Sequence, residues 1–159
     1  MRPFALVFVA GLLAAWQPNS AELLSRAIKI HRAGDIAGAI RLYRQYFEKG
    51  PPSLDAFTNY GAALAQQGQY AEAVETYRRA LELKADHPPA LLNLALAYYK
   101  TGRSIEARQT FEAARPLMPA NQQIILLLAE CNIRLGDHRR AIELLEPVER
   151  ERDRENWCF

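Results

Sequence analysis

The sequence predicts an all-α protein, a solenoid of four helix–turn–helix repeats preceded by a short apolar segment. Four of its eight glycines lie 34 residues apart, at Gly34, Gly68, Gly102 and Gly136. A small residue stands seven positions before each of them, namely Ala27, Gly61, Ala95 and Ala129. An alanine follows five positions after each, namely Ala39, Ala73, Ala107 and Ala141. A fixed period of about 34 residues with two helical patterns per unit is typical of stacked helical hairpins.

The second repeat shows how each unit divides into two helices. Apolar residues recur at three- and four-residue spacing over residues 57–64, and the same periodicity resumes over residues 73–81. Between these stretches Gly68 supplies a left-handed conformation at no steric cost, and this ends the first helix. The pattern predicts an antiparallel hairpin in each unit, with the units at 20–53, 54–87, 88–121 and 122–155.

The repeated positions also predict how the hairpins pack. We expect the small residues of the two helices to meet where those helices cross, because small side chains permit close approach. Large apolar residues would then fill the space between neighbouring hairpins, namely Tyr43, Tyr77, Phe111 and Leu145. A single hairpin cannot bury its apolar face alone, so stacking must supply the stability.

Residues 1–19 form a separate N-terminal segment. Arg2 precedes an unbroken apolar run over residues 4–16, which is followed by Gln17 and Pro18. The run is shorter than the roughly 20 residues that span a bilayer as a helix, but it suits the apolar region of a secretory signal peptide. We expect an exported protein of the periplasm, cell envelope or secreted fraction. The alternative is an apolar helix that is retained and caps the first repeat, in a cytoplasmic protein.

The other end of the chain departs from a regular repeat. Pro147 lies inside the second helix of unit four, where a proline is expected to kink or end the helix. The stretch after it is highly charged, and the tail at 156–159 contains Trp157 and Phe159. Either the charged stretch caps the solenoid, or its end stays exposed and favours contact with another subunit.

The repeats resemble the tetratricopeptide repeat family. In unit two the resemblance rests on residues 56–64, 68–73 and 77–83. In unit three it rests on Leu91, Leu94, Ala95, Tyr98, Gly102, Ala107, Phe111, Ala114 and Pro119. Units one and four match less well, because Arg26 occupies an apolar position and Asn132 replaces an aromatic residue or leucine. The resemblance implies a right-handed α-solenoid whose first helices line a concave groove for peptides or protein segments.

The register of the family carries over to a set of groove residues. These are Thr58, Asn59, Ala62, Gln66, Leu92, Asn93, Leu96, Tyr99, Lys100 and Arg134, with Asp55, Leu126, Glu130 and Ile133 beside them. Asn59 and Asn93 match an asparagine that the family often uses to bond a ligand's backbone, since an amide both donates and accepts. The alternative is that these amides bond their own helix.

One column of the groove is mainly basic. Arg32, Lys100 and Arg134 each lie two residues before a turn glycine, and Gln66 is the fourth member. Basic side chains spaced along a groove would attract an acidic peptide. A basic residue in the last turn of a helix also complements the helix dipole, and this explanation needs no ligand.

The composition and the motifs give no indication of a catalytic, metal-binding or nucleic-acid-binding function. The net charge is only +2 and 24% of the residues are charged, so nothing demands a nucleic-acid partner. The histidines fall at unrelated register positions, and the glycines are single turn residues rather than a phosphate loop. We predict no catalytic, cofactor or metal site, and a protein that is not an enzyme.

The first hypothesis is a scaffold that binds a peptide or protein segment in the groove. The alternative is self-assembly, or docking into a larger envelope complex, through the ends of the solenoid.

Overall fold

The computed structural model describes the backbone of residues 19–156 and side chains as far as residue 150. Within this range lie eight α-helices and no strand, which confirms the predicted all-α class. The helices are α1 Ser20–Arg32, α2 Ile36–Lys49, α3 Leu54–Gln66, α4 Tyr70–Leu83, α5 Pro88–Lys100, α6 Ser104–Ala114, α7 Gln122–Arg134 and α8 His138–Asn156. A short 3-10 helix, Arg115–Leu117, extends α6. The predicted signal segment and the tail at 157–159 lie outside the described residues.

The helices form a solenoid of four stacked hairpins, as predicted. Each odd-numbered helix packs along the even-numbered helix that follows it, and α2, α4 and α6 then pack on the first helix of the next hairpin. The odd-numbered helices are also in contact with one another from α1 to α3 and from α3 to α5. None of the helices described is long and apolar enough to cross a membrane.

All four first helices end in the same turn. The φ angles are +92° at Gly34, +80° at Gly68, +75° at Gly102 and +79° at Gly136. The residue after each glycine donates its backbone N–H to the carbonyl five residues earlier, as Gln69 does to Leu64 at 2.8 Å. This Schellman arrangement satisfies carbonyl groups that a helix end would otherwise leave unpaired. The predicted role of the repeated glycines is therefore confirmed.

Side chains or prolines fix several helix starts. Asn19, Asp35 and Ser53 accept hydrogen bonds from the backbone N–H three residues ahead, at 2.8, 2.8 and 3.3 Å. Each satisfies one of the N–H groups that the first turn of a helix leaves unpaired. Pro88 and Pro89 begin α5, where the missing N–H of a proline costs no helical hydrogen bond.

The large repeated residues lie in the core as predicted, except at the last repeat. Tyr43, Tyr77 and Phe111 are at most 1% exposed, whereas Leu145 is only half-buried. At Gly61 a large side chain comes close, which the sequence did not predict. A Cβ atom on Gly61 would lie 2.6 Å from Cε1 of Tyr77, so an aromatic ring occupies the space beside this glycine.

The last repeat contains a proline inside α8 and a buried asparagine in α7. The possibility that α8 ends at Pro147 is wrong, because the helix continues to Asn156. Proline removes one backbone hydrogen bond and crowds one carbonyl, but the bonds on either side still define the helix. Asn132 is fully buried despite its polar side chain. Its Nδ2 donates to the carbonyl of Leu128 at 2.8 Å, and its Oδ1 has no partner among the described residues.

Candidate partner-binding groove

The predicted groove residues all lie on the first helices of the hairpins, α3, α5 and α7. Leu92, Leu96 and Tyr99 on α5 are half-buried. On α7, Leu126 and Ile133 are 52% and 48% exposed. A folded chain exposes large apolar side chains at some cost in free energy, and two such side chains lie on the same helix of the predicted groove. The surface of α5 and α7 is the most apolar part of the predicted groove.

Hydrogen bonds between neighbouring first helices join residues 35 positions apart. Nε2 of His31 and Oε1 of Gln66 are 3.3 Å apart, and Nη2 of Arg134 donates to the hydroxyl of Tyr99 at 2.8 Å. Each pair links a residue near the end of one first helix to the same region of the next. The contacts bring Gln66, Tyr99 and Arg134 of the predicted set against adjacent repeats. These pairs could have been found in the sequence by looking for polar residues 35 positions apart, which is one repeat period plus one residue.

Tyr99, Glu130 and Arg134 form a cluster between α5 and α7. The guanidinium carbon of Arg134 lies 4.3 Å from the centroid of the Tyr99 ring, and Nη2 also donates to Oε1 of Glu130 at 2.7 Å. Hydrogen bonds from Tyr99 and then from Arg134 lower the pKa of the Glu130 carboxyl. The hydrogen bond to Glu130, followed by desolvation, raises the pKa of the Tyr99 phenol. This cluster fixes the orientation of Arg134 within the groove.

The amide side chains are partly committed to their own helix. Nδ2 of Asn59 donates to the carbonyl of Asp55 at 2.8 Å, as the local alternative expects. Its oxygen can still accept a hydrogen bond. Thr58 likewise donates its hydroxyl to the carbonyl of Leu54 at 2.8 Å. Asn93 is half-buried at the matching position of α5.

The residues of the basic column differ in their contacts. Arg32 and Lys100 are exposed and lie in the last turns of α1 and α5, where they complement the helix dipoles. Arg134 is held by Glu130 and Tyr99 as described above. Ala62, the remaining predicted residue, is half-buried on α3.

A polar cluster that joins α3 to the second helices α2 and α4 was missed in the sequence. Tyr60 on α3 donates its hydroxyl to Oε1 of Glu72 on α4 at 2.6 Å and accepts from Nε of Arg44 on α2 at 3.0 Å. Arg44 also bonds both carboxylate oxygens of Glu72, at 3.1 and 3.0 Å. Hydrogen bonds from Tyr60 and then Arg44 lower the pKa of Glu72, even though burial opposes the shift. One period later, Arg78 donates to the hydroxyl of Tyr98 at 3.0 Å, so a repeated arginine was the available signal.

Solved structures of MamA have the same fold. One aligns with a TM-score of 0.78 at 18% identity, covering 87% of this chain and 82% of that one. A second gives 0.79 at 18% identity, with coverage of 89% and 78%. MamA from Desulfovibrio magneticus RS-1 gives 0.77 at 23% identity, with coverage of 85% and 77%. At these identities the likeness shows the fold alone. A comparison with the sequences of characterised proteins finds no match.

Family models identify the repeats independently of the structure. A TPR repeat model matches residues 55–102, and a tetratricopeptide repeat model matches residues 105–157. Proteins of this kind typically serve as scaffolds for protein–protein interaction rather than as enzymes. With its repeated turns, its stacked hairpins and these two matches, the chain belongs to the tetratricopeptide repeat family.

Proposed function

We propose that this protein is an exported scaffold that binds a peptide or protein segment in the groove lined by α1, α3, α5 and α7. The observation that carries the proposal is the exposed apolar surface of α5 and α7 within the groove. Leu126 on α7 is 52% exposed, and Leu92 and Leu96 on α5 are half-buried. Exposed apolar side chains rimmed by polar groups are typical of protein interaction sites.

The groove offers two kinds of contact to a bound segment. Each large apolar side chain fully buried at an interface contributes about 1.5–3 kcal/mol. Association costs roughly 4–15 kcal/mol in lost freedom of motion, so one such contact is insufficient. A stable complex therefore needs several such contacts along the groove. The oxygens of Asn59 and Asn93 supply acceptors for the backbone N–H groups of the partner.

Export is supported by the sequence at the N-terminus. An early arginine, an apolar run over residues 4–16 and a polar break follow the order of a secretory signal. Expression in a host with a separable envelope, followed by mass spectrometry of the exported fraction, tests this part. We expect a mature chain that lacks the apolar run. An uncleaved chain found only in the cytoplasm would contradict export but not groove binding.

Two variants of matched exposure test the groove. Leu126 in the groove is 52% exposed, and Ile105 on the second helix α6 is 53% exposed. Leu126→Glu and Ile105→Glu therefore introduce the same charge at equally accessible apolar positions. The parent chain captures its partner from the native exported fraction, and we expect Leu126→Glu to lose it while Ile105→Glu retains it. Circular dichroism confirms that both remain helical. Loss with Ile105→Glu alone would move the site off the groove.

One observation favours a second candidate function, self-assembly through the end of the solenoid. Ile40 and Val74 are 3% and 2% exposed, whereas Ile142 at the same register position is 63% exposed. Ile40 and Val74 belong to the main core cluster, and the third repeat has Arg108 at this position. We propose that another copy of the chain covers it at Ile142. Sedimentation over a range of concentrations tests this candidate: association should be present in the parent chain and absent in Ile142→Glu, and a parent chain that stays monomeric would contradict it.

A further inference from the structure

Two clefts open between successive second helices, on the side of the solenoid away from the groove. One has a volume of about 470 Å³ and lies between α2 and α4, above α3. The other has a volume of about 850 Å³ and lies between α6 and α8, above α7. Their lining residues occupy matching register positions two repeats apart. The same structural position is therefore filled to different extents in the two halves of the protein.

The difference comes from a pair of aromatic rings. In the α2–α4 cleft, Phe47 and Phe57 stack with centroids 4.5 Å apart and an angle of 17° between the ring planes. In the α6–α8 cleft the matching positions are Arg115 and Ile125. Arg115 is exposed, in the 3-10 helix that extends α6. Near the other end a guanidinium side chain and a smaller aliphatic side chain stand at these positions, and the cleft is larger there.

The α6–α8 cleft combines an apolar floor with a charged rim. Leu128 and Leu144 are 2% and 6% exposed, and the half-buried Ile125 lies beside them. The exposed side chains of Glu112 and Arg115 line the α6 wall. A volume of 850 Å³ falls within the range of roughly 300–1,000 Å³ that is usual for ligand sites. The cleft thus presents an apolar surface, a hydrogen-bond acceptor and a guanidinium group side by side.

This protein already holds its own tyrosines with the same groups. The guanidinium carbons of Arg134 and Arg103 lie 4.3 and 4.6 Å from the ring centroids of Tyr99 and Tyr98. In the α2–α4 cleft the hydroxyl of Tyr60 donates to a glutamate carboxylate at 2.6 Å. A ring beneath a guanidinium and a hydroxyl on a carboxylate are favourable pairings in general.

We propose that the α6–α8 cleft binds a tyrosine side chain carried by a segment of a partner protein. The ring lies on Ile125, Leu128 and Leu144, in the place of the missing stacked pair. The guanidinium of Arg115 covers the ring, and the hydroxyl donates to the carboxylate of Glu112. A phenylalanine would bring the same ring but no donor for Glu112, so that carboxylate would lose water without gaining a bond. Tyrosine is also one of the residues that most often anchor protein interfaces in pockets.

The site is separate from the groove, so its test does not depend on the groove's partner. The probe is the blocked tripeptide acetyl-Gly-Tyr-Gly-amide, added to the full chain with labelled isoleucine and leucine methyl groups and followed by NMR. We expect chemical shift changes at Ile125, Leu128 and Leu144, with smaller changes for the phenylalanine peptide and none for the alanine peptide. Equal changes with the alanine peptide would overturn the site, and equal affinity for phenylalanine would overturn the assignment of tyrosine.

Variants of the cleft complete the test. Ile125→Phe places a ring where Phe57 stands in the other cleft, and we expect it to abolish the shift changes while the chain stays folded. Arg115→Ala should weaken binding roughly two- to fivefold, the effect expected from losing an exposed cation–π contact. Arg79→Ala in the α2–α4 cleft serves as the matched control and should leave binding unchanged. Binding that survives Ile125→Phe, or that is unaffected by Arg115→Ala, would overturn the proposal.

Discussion

Replacement of Gly61 by alanine should destabilise the protein, although three other repeats carry alanine at the same register position. A Cβ atom on Gly61 would lie 2.6, 2.8 and 2.9 Å from Cε1, Cδ1 and Cζ of Tyr77. Real Cβ atoms essentially never come so close to other heavy atoms. Tyr77 is 1% exposed, so its ring cannot turn into solvent to make room. The ring or the backbone of α3 must move.

The expected magnitude follows from two opposing effects. Alanine is favoured over glycine inside a helix by about 1 kcal/mol. Overpacking of a well-packed core costs typically 1–3 kcal/mol. Contact with a buried ring places Gly61→Ala towards the upper end of that range, so we expect a net loss of about 1–2 kcal/mol in the free energy of unfolding. For a chain of this length the midpoint of thermal unfolding should fall by roughly 2–8 °C.

Urea unfolding followed by circular dichroism measures the effect, and a double-mutant cycle assigns its cause. In a Tyr77→Leu background the smaller side chain leaves room for the new methyl group. There Gly61→Ala should no longer destabilise, and the helix propensity of alanine should raise the free energy of unfolding by up to about 1 kcal/mol. The reasoning is refuted if Gly61→Ala is as stable as the parent, or if its cost is the same in both backgrounds.

Three other variants test single polar groups in the core by urea unfolding. The Tyr43 hydroxyl is buried without a partner among the described residues, so Tyr43→Phe should leave the free energy of unfolding unchanged or raise it by up to about 1 kcal/mol; a clear loss would indicate a missed hydrogen bond. Burial raises the pKa of Tyr43 to about 12 from its usual 10.0. The unfolded chain ionises this phenol more readily than the folded chain, so the free energy of unfolding is unaffected below pH 10 and should fall between pH 10 and 12. That loss should reach about 3 kcal/mol and be absent in Tyr43→Phe, which a pH series would show. Tyr60→Phe should cost about 1 kcal/mol, because it removes the hydroxyl bonded to Glu72; equal stability would show that this cluster contributes nothing. Asn132→Leu should raise the free energy of unfolding by about 1–2 kcal/mol, since it removes a buried unpaired oxygen; a decrease would mean that leucine does not fit the site.

Much of the fold could be predicted because its determinants are local. A glycine with positive φ and the periodic apolar positions of a helix are visible within one repeat, and the repeat then propagates them. The hairpins could therefore be predicted correctly from Gly68 and its counterparts. The close approach of the Tyr77 ring to Gly61 was not predicted, because the orientation of that ring depends on packing that no single repeat determines. The path of α8 through Pro147 likewise depends on the balance between one lost bond and those on either side.

The positions of the groove residues could be predicted from the sequence. Which of their side chains are free to bind a partner could not. Register alone places Asn59 and Arg134 on the first helices. Only the three-dimensional arrangement shows that Asn59 bonds its own helix and that Arg134 is held by Tyr99 and Glu130. Contacts between repeats depend on the angle at which the hairpins stack, which the sequence does not display. The clefts between second helices were missed for the same reason.

The glycines at the four turns have a consequence for the chemistry that these sites accept. A Cβ atom placed on Gly34, Gly68, Gly102 or Gly136 would meet no other heavy atom within 4 Å. The requirement for glycine is therefore one of handedness and not of size. An L-residue is strained at positive φ, whereas a D-residue prefers that region. D-alanine would fit each turn and would also restrict the unfolded chain, which stabilises the folded state. These turns thus favour D-residues, which the ribosome does not supply. Glycine is the one achiral residue among those that are genetically encoded.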